Sequence, residues 1–261
     1  RNVPLLLQII LWYSILIQLP RVKQSLEFLD TFFISNRGIY SPRPIFENGF
    51  SYVFIAFILA LISSFFIRRW AKKRQDETGK QFPVISSAFG LIILLPLLLF
   101  FILGSPMSFD YPALKGFNFK GGMVIRPEFI AMFLALTIYT AAFISETVRS
   151  GILSVTKGQR EASASLGLKK SWIMRLIIIP QALRVIVPPL TSQYLNLTKN
   201  SSLGIAVGYA DLVHGFGGIS LNQTGQAIEC MVIVMATYLT ISLTISVFMN
   251  IYNRSIQFKE K

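Results

Sequence analysis

TKGQREASASLGLKKSWIMRLIIIP, residues Thr156 to Pro180, is a polar stretch wedged between strongly apolar ones, and its reading decides the fold. Thr156 followed three residues later by Gln159 has the form of a capping box, so a helix is expected to begin there. Ala162, Ala164 and Leu166 favour its continuation. Gly167 then supplies the left-handed residue on which helices commonly end. Ser171 is expected to cap a second helix through Trp172 and Ile173 into Leu176–Ile179, with Pro180 breaking it. The expectation is a short helix, a glycine corner and a second helix returning into an apolar layer. Such a knob suits a groove on a soluble partner.

The surroundings supply that apolar layer. Hydrophobic residues make up 53% of the 261-residue chain and charged residues only 14%, well below the roughly 25% of soluble domains. This is the composition of an all-α integral membrane protein. Working along the chain, apolar spans are expected at Val3–Leu19, Gly49–Ile67, Val84–Gly104, Glu128–Val148, Leu176–Thr198 and Ala227–Asn250, about six in all. The first is at the lower limit of length, and the chain starts at Arg1, so it reads as an N-terminally truncated fragment. Residues 20–48 and 105–127 read as polar, Pro/Gly-rich loops. The chain thus divides into three parts: 1–48, a helix end plus an external loop; 49–127, an inserted helix pair with its loops; and 128–261, a core carrying the polar loop 149–180.

The net charge of +13 would suit nucleic acid, but the cations gather beside the apolar spans, where they act as topology signals and contacts to anionic lipid. Residues 68–83 hold six Lys or Arg and residues 149–175 hold six, against four in 21–48 and three in 105–126. Cytoplasmic loops carry such an excess, so 68–83 and 149–175 are assigned to the cytoplasm. The last span then ends inside, at Arg254, Lys259 and Lys261. One cysteine, Cys230, and one histidine, His214, exclude an internal disulfide, a redox pair and a histidine metal centre. The sequence contains no G-x-x-x-x-G-K-[ST] loop, so ATP is not expected to bind this chain.

Two further stretches bear on transport. Glu146 and Arg149, three residues apart on one helix face, read either as an interfacial ion pair or as a gate or coupling contact. In QYLNLTKNSS (193–202), ionisable and amide groups fall inside or at the edge of a span, where they are costly and usually functional. Asn196, Lys199, Asn200 and Ser201 are the candidates for a translocation path, with Asn196, Lys199 and Asn200 on one helix face. Lys199 reads equally as an anchor snorkelling to the outer interface. Arg184 reads as a structural contact to backbone or lipid.

Glu161, Ala162, Ser163, Gly167, Ile177 and Pro180 resemble the EAA loop of ABC-importer membrane subunits: E-A-A, three residues, G, nine residues, I-x-L-P. Ser163 replaces the second alanine and Ile179 the leucine. RNVPLLLQIILWY, YTAAFISETVRSGI, PQALRVIVPPLTSQYLNLTKNSSL and LNQTGQAIE extend the likeness over nearly the whole chain. It resembles permeases of the polar amino-acid ABC importers, and within them the membrane subunit of broad-specificity L-amino-acid importers. The resemblance implies a type I ABC-importer transmembrane domain in a bacterial inner membrane, a transporter subunit rather than an enzyme. It implies that the six loop residues couple to cytoplasmic ATPase subunits, which bind the ATP. It also implies a second permease subunit and a periplasmic amino-acid-binding protein. A secondary transporter or channel without an ATPase is the alternative, disfavoured because acidic residues are scarce inside the spans.

Overall fold

The computed structural model describes residues 2–257, so Arg1, Lys259 and Lys261 lie outside the described residues. Two compact units divide the chain: residues 1–25, 34–39 and 125–261 form one, and residues 26–33 and 40–124 the other. Five described helices are long and apolar enough to cross a membrane, Phe50–Thr78, Val84–Ile102, Pro127–Leu153, Lys170–Val207 and Ala227–Ile256, beside the shorter apolar helix Leu5–Ile17. Helices are the expected solution for such runs, because in hydrocarbon each backbone N–H and C=O must find its partner within the segment.

In the larger unit, α1 (Leu5–Ile17) packs on α4 (Pro127–Leu153). Ala131 and Ala135, one turn apart on α4, are completely buried, and small residues of this kind let helix backbones approach. Leu5 and Ile9 meet Met132, Ala135 and Leu136 in one apolar cluster that Val207 completes. Pro127 stands at the first turn of α4, where its missing N–H is no loss. The helix ends at Leu153, and α5 (Lys157–Ser165) begins the polar loop.

Beyond that loop the chain corrects two sequence expectations. Lys169, not Ser171, stands at the cap of the next helix, α6 (Lys170–Ile173), and its carbonyl accepts from the N–H of Trp172 and Ile173. Pro180 does not break the helical run. Met174–Ile178 forms a π turn, and α7 (Ile179–Asn200) continues from it with Pro180 in its first turn. The longer bonding step of a π turn absorbs the register fault that a proline would cause in an α-helix. Pro188 and Pro189 sit inside α7, and a 3₁₀ turn, Ser201–Val207, extends it, so 170–207 is one continuous helical rod of 38 residues. A second π stretch at Val213–Ser220 contains His214 and leads through α8 (Leu221–Thr224) to α9 (Ala227–Ile256). The Nε of Arg184 donates to the carbonyl of Ile256 at 3.1 Å, a structural contact between α7 and α9.

In the smaller unit, α2 (Phe50–Thr78) and α3 (Val84–Ile102) form an antiparallel hairpin. The stretches expected as loops are built largely from short strands, of which residues 34–39 and 125 belong to the larger unit: β1 (Leu26–Phe28), β2 (Phe32–Ser35), β3 (Gly38–Ser41), β4 (Arg43–Phe46), β5 (Met107–Asp110), β6 (Ala113–Lys115), β7 (Asn118–Lys120) and β8 (Met123–Ile125). β4 pairs antiparallel with β5, Arg43 opposite Asp110 and Phe46 opposite Met107, and β6 pairs with β7. Phe119 is buried between the rings of Phe33 and Tyr40, at 4.5 and 4.7 Å between centroids. The Tyr40 hydroxyl donates to Asn118 Oδ1 at 2.9 Å. The alternation was hidden in sequence by the Pro and Gly residues between runs of only three or four.

Candidate coupling loop and polar cleft

Thr156 is the residue at the start of α5, as the spacing indicated, but its side chain makes no capping bond. The N–H of Gln159 donates instead to the Thr156 carbonyl at 3.2 Å. Glu161 and Ala162 lie exposed on α5, whereas Ser163, on the opposite side, is buried. A hydroxyl there would cost free energy if unpaired. Ser163 Oγ donates to the Gln159 carbonyl one turn back, which satisfies it within the helix. That bond explains how serine occupies a position where the pattern has alanine.

Gly167 turns the corner with φ +72°, and its N–H donates to the Ala164 carbonyl at 2.9 Å. A Cβ there would meet nothing within 4 Å, so backbone conformation and not crowding calls for glycine. Leu166 (80% exposed) and Trp172 (59%) flank the corner and point outward, two large apolar groups that sequence reasoning did not single out. Their signal was an apolar residue on either side of a glycine in an otherwise polar segment.

The loop is held from beneath. Val155, Ile173, Ile178, Ala182 and Ile186 form a buried cluster, with Val148, Ile152, Leu168 and Leu190 packed against it. Ile177 is half-buried beside Ile178, and Pro180 is half-buried at the start of α7. Arg160 ties α5 to α4 by donating from a guanidinium nitrogen to the Ile152 carbonyl at 2.9 Å. At Gly151, α4 and α7 touch so closely that a Cβ would collide with Ile186 Cγ1. The Arg160 bond and the apolar cluster on the residues that flank it tie the short polar helix to the transmembrane rods, whereas an isolated helix of nine residues would not be stable.

Glu146 and Arg149 form a two-pronged ion pair on the exposed side of α4, Arg149 Nε to Glu146 Oε2 at 3.0 Å and the terminal nitrogen to Oε1 at 2.5 Å. One turn or more further toward the start of α4, a cleft of about 300 Å³ opens between α4 and α7. Asn196 and Asn200 line it with Gln193, Tyr139, Thr140 and Phe143. Tyr139 and Thr140 were missed in the sequence, where a lone Thr and Tyr in an apolar span carry little signal, while Gln193 opens the polar stretch 193–202 without being among the path candidates. Lys199 is exposed and is not among the cleft's lining residues. Ser201 directs its hydroxyl to the Thr198 carbonyl at 2.7 Å, within its own helix. Of the four path candidates, then, the fold gathers the two asparagines.

Residues 53–258 match the family model described as the binding-protein-dependent transport system inner membrane component. The chain belongs to this family of inner-membrane transport permeases. The permease is 50% identical over 262 residues to the general L-amino acid transport system permease protein AapQ of Rhizobium johnstonii, a match that covers 100% of the permease and 65% of the relative. It is 51% identical to the putative amino-acid ABC transporter permease protein YhdX of Escherichia coli, covering 100% and 67%. It is 44% identical to the glutamate/glutamine/aspartate/asparagine transport system permease protein BztB of Rhodobacter capsulatus, covering 100% and 68%. The permease thus spans about two thirds of the length of these relatives. Family membership makes it a multi-pass inner-membrane transport component rather than an enzyme, as the resemblance of the loop and spans implied.

Proposed function

We propose that this chain is a membrane-spanning permease subunit of an ATP-driven importer that carries L-amino acids across the bacterial inner membrane. The observation that carries the reading is the polar loop: a helix–glycine–helix knob presents Glu161, Leu166 and Trp172 outward while a buried cluster joins it to α4 and α7. A knob that moves with two transmembrane rods can transmit the opening and closing of an ATPase dimer to the membrane. Glu161, Ala162, Ser163, Gly167, Ile177 and Pro180 form this coupling element, three by facing or shaping the contact and three by fixing it to the core. Glu146 and Arg149, ahead of it on α4, anchor the helix end next to the same loop. ATP is bound by cytoplasmic ABC ATPase subunits. The other partners are a second permease subunit and a periplasmic amino-acid-binding protein.

Amino acids are zwitterions, and a route for them needs donors and acceptors that release what they hold. The amides of Asn196, Asn200 and Gln193 and the hydroxyls of Tyr139 and Thr140 offer both without a fixed charge, which favours the cleft as part of the path. The names of the relatives support amino acids as the cargo.

Two substitutions test the coupling. Gly167→Val forces a left-handed backbone on a branched side chain at roughly 1 kcal/mol or more. Glu161→Lys inverts a charge on an exposed site. Both variants are expected to insert into the membrane and to lose most transport-coupled ATP hydrolysis. Full coupled hydrolysis in both would remove the loop from the ATPase contact. Orientation is tested separately: with residues 68–83 and 149–175 in the cytoplasm and 20–48 and 105–127 in the periplasm, an impermeant thiol reagent labels Tyr111→Cys but not Gln75→Cys in intact cells. The native Cys230 is buried and adds little background. Labelling at Gln75→Cys alone inverts the arrangement.

A further inference from the structure

The α2–α3 hairpin carries a feature the transport reading does not use. Helix α2 has 29 residues, about 43 Å at 1.5 Å per residue, against a hydrocarbon core of about 30 Å. Its last turns therefore project past the apolar layer, and they hold Arg68, Arg69, Lys72, Lys73 and Arg74. Three of these cations are occupied. The guanidinium of Arg69 lies 4.5 Å from the Phe65 ring centre, that of Arg74 lies 5.3 Å from Trp70, and Lys73 pairs with Glu77 at 3.9 Å.

Arg68 and Lys72, one turn apart, instead line a cleft of about 660 Å³ between α2 and α3. Among the described residues neither has a hydrogen-bonding or ionic partner. Ser64 and Gln75 add neutral polar groups to the same wall, and Asp76 and Glu77 are absent from the lining. The other side is apolar: Phe65, Phe82, Val84, Ile85 and Ala88, with Ile85 85% exposed. Two cations over a hydrocarbon floor, at the depth where helix and headgroups meet, fit a ligand with both a phosphate and an acyl chain. Basic pockets between transmembrane helices bind anionic headgroups for this reason. Inorganic phosphate would leave the floor unused.

We propose that the cleft between the basic end of α2 and the start of α3 binds an anionic phospholipid, its phosphate between Arg68 and Lys72 and an acyl chain against Phe65, Ile85 and Ala88. The site does not depend on which solute the permease carries.

The full transporter, purified from membranes with its accompanying subunits, is reconstituted into nanodiscs of phosphatidylcholine with or without phosphatidylglycerol. Lipid retained after gentle detergent extraction is counted by native mass spectrometry, and the melting temperature is read in both lipid mixtures. Arg68→Gln/Lys72→Gln is expected to lower phosphatidylglycerol retention about tenfold or more and to lose the phosphatidylglycerol-dependent rise in melting temperature. Lys73→Gln/Lys80→Gln, which removes the same charge from the same loop, is expected to keep both. The melting temperature in pure phosphatidylcholine reads folding independently, and the exposed single change Lys72→Gln should lose part of the effect. Equal loss in the two double variants would mean diffuse attraction only and would overturn the site, as would unchanged retention in Arg68→Gln/Lys72→Gln. Stabilisation by inorganic phosphate equal to that by phosphatidylglycerol would replace the lipid with a free anion and would overturn it too.

Discussion

Helices α3 and α4 are both membrane spans, yet hydropathy and packing rank them in opposite order. The most apolar window of α3 averages 2.6 and none of it is buried within the chain, whereas that of α4 averages 1.8 and 28% of it is buried. In water the more apolar helix would be the better packed. In a bilayer, lipid tails are as apolar as leucine, so hydrophobicity drives insertion but not helix association. Close packing comes from small residues and satisfied polar ones. Ala131, Ala135, Thr140 and Gly151 give α4 that surface, while α3 reads VISSAFGLIILLPLLLFFI and presents mostly Leu, Ile and Phe.

The contrast predicts unequal sensitivity. Gly151→Val should have the largest effect, since its Cβ alone would collide with Ile186 Cγ1 and stand 3.3 Å from the Ala182 carbonyl. Overpacking of this kind costs roughly 1–3 kcal/mol or more, and the yield of folded, monodisperse protein should fall several-fold in fluorescence-detected size exclusion. Leu97→Ala on α3, at a position 47% exposed, should shift the melting temperature by an amount equivalent to about 0.5 kcal/mol or less. Similar losses in both would break the comparison and assign α3 a packed neighbour.

A second pair sharpens it within α7. Asn200→Leu replaces an amide that lines the cleft with a group of similar size and should cut amino-acid uptake severely while leaving assembly intact. Lys199→Met, one residue away and exposed, should reduce uptake far less. Uptake assays in which the lysine variant is the more damaged would move the path to the other side of the helix.

A small effect is expected at Ser163 as well. Its hydroxyl bonds only to the Gln159 carbonyl of its own helix, so Ser163→Ala removes a donor and no intermolecular contact. Stability should change by less than about 1 kcal/mol, and coupled ATP hydrolysis should persist. A large loss of coupling with normal folding would make that hydroxyl part of the partner contact.

Some of this was legible along the chain. The spans follow from the length of apolar runs, and the start of α5 at Thr156 and the corner at Gly167 from backbone preferences that act within a few residues. Proline misled at 180, because the local rule that proline ends a helix omits the π turn that accommodates it. Ser171 misled as a cap because Lys169, with no side-chain bond of its own, starts the helix through its backbone. The strands between residues 26 and 46 and between 107 and 125 were too short for their alternation to stand out.

By itself, the sequence determined which segments are apolar enough to enter a bilayer and where the polar knob interrupts them, since both depend on local hydropathy and local backbone preference. The tertiary structure alone decided that Asn196 and Asn200 meet Tyr139 and Thr140, and that Arg68 and Lys72 share a cleft with Phe82 and Ile85. Those neighbours come from different helices. Their meeting depends on how closely two rods approach, a distance set between α4 and α7 by residues such as Gly151 and Ile186, thirty-five positions apart in the chain.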